Sequence, residues 1–180
     1  AFPYIVLKEG LHDTFLKWIS QLPESVLEIH PVARVGAIWS LSLSRKNMLA
    51  FEQIEILEHH KANYCLDIQK QITRTIGLCL CAGRALKDEV GSVTEEISQW
   101  IDLWADLSNF NNTNEFHFEV GIAYLVKGYC KKCTSEFDDA KSALLQSQKH
   151  FVARENFYGL TLTLIHLRRC RRNSKRTKRM

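Results

Sequence analysis

Proline and glycine are scarce in this sequence, at three and eight of 180 residues. A sandwich or barrel of many short strands would need more of both at its turns, as would a disordered linker. No run reaches the roughly 18 uncharged apolar residues of a membrane-crossing helix, so no membrane association is expected. The opening AFPYIVLKEG has neither the basic stretch nor the long apolar core of an export signal. It starts at Ala1 and not at Met, which suggests a processed product or a piece of a larger protein. No HExxH, GxxxxGK[ST], GxSxG or GxGxxG occurs, so neither an enzyme activity nor a cofactor is expected of these residues. The six cysteines sit among apolar neighbours, as in LCLCAG. Reduced, buried thiols and a cytoplasmic location are the expectation.

What is present is helix-forming. At 46% hydrophobic and 24% charged, the chain can bury a substantial core, expected as one helical domain over residues 1–170. Charge is unevenly placed: RRCRRNSKRTKRM, residues 168–180, holds eight of the 24 basic residues and no acid. The other 16 basic residues face 20 acidic ones, leaving the body at net −4. The end, 171–180, is set apart as a disordered, solvated tail. Clustered cations would also favour phosphates, but the segment lacks interleaved aromatics for base stacking.

Apolar spacing predicts the helices. Leu11, Phe15, Trp18, Ile19 and Leu22 form a first stripe that Pro23 should end. Pro31 should open the next, with Val32, Val35, Ile38, Trp39, Ser42 and Leu43 inward. A partner follows from Asn47, with Leu49, Ala50, Ile54 and Leu57 inward. A long helix is expected over Tyr64 to Leu86, with Gly91 as a break. Ser92-Val93-Thr94-Glu95 then reads as a capping box before the stripe Ile97, Trp100, Ile101, Trp104, Leu107. The helix over Glu115–Cys133, after the loop SNFNNTN, is apolar enough to be sandwiched. Phe137, Ala140, Leu144, Gln148 and Phe151 share a face of the next, and the last carries Phe157, Leu160, Leu164 and Leu167. No segment alternates with period two, so no sheet is expected. The helices pair as 31–44 with 47–61, 64–86 with 92–107, and 115–133 with 136–152. Units of about 45 residues in an all-α, tetratricopeptide-like solenoid of antiparallel pairs are the expected architecture.

Candidate sites are few. Cys79, Cys81, Cys130 and Cys133 could offer thiolates to zinc, but residues two apart on a helix diverge, and core packing is the better reading. His59, His60, Cys65 and Glu58 read as a polar helix end favoured by the dipole. Trp18, Trp39, Trp100 and Trp104 could line a groove but are more often core at this spacing, above all Trp39 and Trp104. No catalytic, metal or cofactor residue is assigned, and the position of a ligand or partner groove is left open.

Trp18-Ile19, Leu22-Pro23, Val26-Leu27, Pro31 and Met48-Leu49-Ala50-Phe51 together resemble a passage of the large ATP-binding LuxR-type transcriptional regulators. There it marks the entry to a helical repeat domain. Glu115-Phe116, Gly121, Gly128-Tyr129, Phe137-Asp138-Asp139-Ala140 and Tyr158-Gly159-Leu160 are similar to that family's repeats. Ser135 stands where such repeats often have glycine, and Lys131 where an aromatic or apolar residue is usual. The resemblance, over residues 10–167, implies a sensor that binds a small-molecule inducer or a protein partner. ATP and DNA would be bound only by a P-loop module and a helix-turn-helix module outside these residues. A free-standing adaptor binding peptides or proteins is the alternative, and a cut solenoid end would favour a homodimer.

Overall fold

The computed structural model describes residues 2–105 and 113–177. Among the described residues are ten α-helices, one 3-10 turn and no strand. The helices are α1 (Phe2–Lys8), α2 (His12–Ile19), α3 (Glu24–Ile29), α4 (Pro31–Leu43), α5 (Asn47–His60), α6 (Leu66–Ala85), α7 (Val90–Trp104), α8 (Asn114–Cys133), α9 (Phe137–Val152) and α10 (Phe157–Thr177). By packing, the chain divides into two compact units, Ala1–Gly83 and Arg84–Met180, within the span expected as one domain. The expected pair 64–86 with 92–107 straddles that division.

In the first unit α4 is the central rod. It packs against α1, α2, α3 and α5, and every residue from Arg34 to Leu41 is buried. Pro31 occupies its first turn, where the missing N–H has no helical partner to lose. Pro23 does not act as expected. The helix before it already stops at Ile19, and Pro23 is the N-cap of α3, a short helix fitted between the two prolines. Val6 of α1, Phe15 of α2 and Ala37 of α4 meet in one core cluster. Arg34, buried to 1% exposure, ties three helices together: Nη1 donates to Gln53 Oε1 at 2.6 Å and Nη2 pairs with the Glu24 carboxylate. On α6, a Cβ built at Gly83 would lie 3.7 Å from the Phe51 ring, ordinary contact distance.

The second unit centres on α8, which packs against α7, α9 and α10 as its apolar composition predicts. Gly128 lies against Leu144 and Gly121 against Phe151, so rising numbers on α8 meet falling numbers on α9. Phe151 with Gly159 and Ser147 with Thr163 give the same antiparallel relation between α9 and α10. The expected inner face of α10 is corrected. Phe157 and Leu164 are 60% and 46% exposed, and the buried stripe is Gly159, Thr163, Leu167 and Cys170. Small groups are needed at Gly159 and Thr163 because the ring of Phe151 and the hydroxyl of Ser147 come so close. The segment from 171, expected to be disordered, continues α10 as helix through Thr177. No proline or glycine follows Gly159 to stop it, and Arg and Lys are good helix formers. The loop SNFNNTN and Leu107 lie largely or wholly outside the described residues.

Several of the helix-to-helix turns share one geometry. Arg45, Asp88, Ser135 and Glu155 all have φ between 53° and 66°. After each, the next N–H bonds the carbonyl five residues back: Lys46 to Leu41, Glu89 to Arg84, Glu136 to Lys131, Asn156 to Phe151. This is the Schellman closure of a helix C-terminus. Gly10, at φ 73°, makes it between α1 and α2, where Leu11 N–H reaches Val6 O. The capping box expected at Ser92 is not formed. Helix α7 starts two residues earlier with Glu89 as N-cap, Gly91 lies inside it, and Ser92 Oγ accepts from Arg84 Nη2 at 2.8 Å.

Candidate functional site

The chemistry of the second unit gathers on α8. At its N-terminal end, His117 and His150 of α9 face each other with 3.2 Å between their Nδ1 atoms. Two nitrogens at that distance share one proton, so one ring carries Nδ1–H and donates while the other accepts. Tyr124, seven residues on from His117 and therefore on the same face, stacks on His150 with centroids 6.0 Å apart and planes 18° apart. Phe116 meets both imidazoles edge-on, at 5.6 and 6.3 Å. Burial, then the neighbouring His117 and Lys149, push the His150 pKa down to about 4. Burial, then Arg154, lower that of His117. Both rings are therefore neutral at pH 7. An imidazole titrating near 4 is a weak base at that pH, so what the cluster can offer chemically is stacking and hydrogen bonding.

A second cluster lies at the other end of α8. Tyr129 meets His166 of α10 edge-on at 5.6 Å, and Lys132 Nζ sits 4.5 Å from the Tyr129 ring centre. Burial, then Lys132 and Arg169, bring the His166 pKa down to about 4, and its Nδ1 is buried without a hydrogen-bond partner among the described residues. Burial pushes the Cys130 thiol up to about 11, so it stays protonated. Protonated thiols are poor nucleophiles and poor metal ligands. Among the described residues, no three His, Cys, Asp or Glu side chains are grouped to hold a metal ion.

The residues singled out from sequence are dispersed. Cys79, Cys81 and Cys130 are buried, Cys133 and Cys65 exposed. His59 and His60 end α5, their rings 5.2 Å apart edge-to-face, with His60 Nε2 3.9 Å from Glu28 Oε1. Trp39 is core at 1% exposure and Trp100 is buried, while Trp104 is half-buried and Trp18 is 48% exposed. Near Trp18 in sequence, Asp13, Leu16, Lys17, Ser20 and Lys46 line an open depression of about 610 Å³. No helix among the described residues is long and apolar enough to cross a membrane. The cluster of Phe116, His117, Tyr124 and His150 escaped the sequence reading. Its only linear signal is the spacing of His117 and Tyr124, since His150 arrives from a different helix.

No family model, curated protein or solved structure matches this chain.

Proposed function

We propose that the chain is the helical-repeat sensor region of a bacterial LuxR-type, ATP-dependent transcriptional regulator, and that it binds an inducer or a partner protein. The observation that carries the reading is the recurring left-handed turn. Arg45, Asp88 and Ser135 stand 43 and 47 residues apart, and each joins the two members of one expected helix pair, while the same closure at Gly10 and Glu155 joins helices not expected as pairs. A common closure at a pitch near 45 residues is what a stack of helix pairs would produce. Exposed Phe157, Leu164 and Ile165 on α10 supply the apolar side against which a following helix would pack.

In such a regulator the ligand acts by binding one state of the neighbouring ATPase module's equilibrium more tightly than the other; equal affinity for both would shift nothing. The neutral rings of Phe116, Tyr124 and His150 are the place for that contact. A thermal-shift screen of the 180-residue protein against small metabolites tests it. A ligand should raise the melting temperature of the wild type and lose that effect in Tyr124→Ala. A shift that survives both Tyr124→Ala and His150→Gln would move the site elsewhere. A flat screen would turn the search to a protein partner.

A further inference from the structure

The end of α10 carries a feature that the sensor reading leaves unused. Cys170 is the last residue found buried among those whose burial is described, and the helix continues through Thr177. At about 1.5 Å per residue, the helix runs about 10 Å further beyond Cys170. Arg168, Arg169, Arg171 and Arg172 are all exposed. At 3.6 residues per turn they fill the side of α10 away from its buried stripe of Gly159, Thr163, Leu167 and Cys170. No ion pair engages these four arginines among the described residues. In sequence, Lys175 and Arg176 follow four residues after Arg171 and Arg172, and no acid occurs from 168 to 180.

We propose that this arginine face of α10 binds the backbone phosphates of a nucleic-acid duplex. A helix of this diameter fits the major groove, and guanidinium groups on one side can reach phosphates in pairs. Single strands are disfavoured because no aromatic residue lies between Arg168 and the chain end to stack on bases. Phe157, Leu164 and Ile165 are exposed on the same side of α10, but residues 171–177, RRNSKRT, add no apolar side chain to enter the acyl region, which disfavours a lipid surface. The remaining body, at net −4, repels a polyanion. Binding is therefore confined to this end and independent of sequence.

Fluorescence anisotropy of the intact protein with a labelled duplex of about 20 base pairs tests the proposal. Four phosphate contacts predict a log–log salt slope of about −3.6, a loss of affinity of about 100-fold between about 50 and 200 mM salt. Arg168→Glu/Arg171→Glu/Arg172→Glu should abolish binding, and the triple glutamine variant, which keeps helix propensity, should abolish it too. Reversal of Lys17, on the first unit, should leave binding intact. A glutamine variant that binds like the wild type, or a salt slope near zero, would overturn the proposal. So would phosphatidylserine vesicles that bind the protein as tightly as the duplex does.

Discussion

The ring of Phe151 lies so close to the backbone of Gly121 that a Cβ there would sit 2.6 Å from its Cε1. Gly159 approaches the same ring from α10, with a Cβ distance of 2.5 Å. Phe151 is thus held between glycines of both neighbouring helices, and neither neighbour has room for a methyl group. Gly121→Ala and Gly159→Ala should each destabilise the second unit by about 1–3 kcal/mol, as overpacking does. Phe151→Ala should cost about 3–5 kcal/mol. Urea unfolding followed by circular dichroism measures all three, and unchanged midpoints would contradict this packing.

Gly91 provides the opposite case. It lies inside α7, and a Cβ there would meet nothing within 4 Å. Gly91→Ala should stabilise by about 0.5–1 kcal/mol, because alanine gives up less backbone entropy in a helix. Loss of stability in the same assay would mean that α7 does not begin before Ser92.

Ser135 pays a conformational cost that glycine would avoid. Its φ of 66° is left-handed, a region costing a non-glycine residue about 1–2 kcal/mol. Part of any gain from glycine returns as unfolded-chain entropy. Ser135→Gly should therefore raise stability by up to about 1 kcal/mol. Asp88→Gly should gain less, since aspartate tolerates this conformation better. Equal or reversed effects would show that the turns are not the shared closure described.

Acidification should weaken the second unit. Folded His150 and His166 have pKa values brought down to about 4, and His117 is also lowered, all from 6.5. Depressed folded values mean that the unfolded state binds protons first as pH falls. The stability linked to these rings is complete above about 6.5 and is lost as pH falls toward 4. His150→Gln should flatten part of the fall between pH 6.5 and 4. Chemical denaturation at stepped pH measures it, and an unchanged profile in the variant would contradict a buried neutral pair.

Thiol accessibility checks the core assignments. Cys65 and Cys133 are exposed; Cys79, Cys81, Cys130 and Cys170 are buried. A chromogenic disulfide reagent should label two thiols quickly and the other four only at the rate of opening. Rapid labelling of more than two would show that α6, α8 or α10 is packed otherwise.

Local signals in the sequence served well where one helix decides the outcome. Pro31 opens α4, and the apolar run of α8 meets neighbours on three sides, because missing N–H groups and all-round hydrophobicity act within one element. Selections made between elements were hidden. Ser92 and Glu95 match a capping box, but Arg84 reaches forward to Ser92, Glu89 and Glu96 and the helix starts earlier. Phe157 and Leu164 look like the inner face of α10 by hydrophobicity alone. The close approach of Phe151 and Ser147 requires Gly159 and Thr163 there instead. The His117–His150 pair joins residues 33 apart, a contact that no periodicity within one helix encodes.

If the chain is a sensor region as proposed, it belongs to a larger regulator. Sequencing the intact coding region on both sides of residues 1–180 tests this directly. The account predicts a P-loop, GxxxxGK[ST], upstream in the same frame and a helix-turn-helix pattern downstream. An intact reading frame that encodes these residues alone would contradict it.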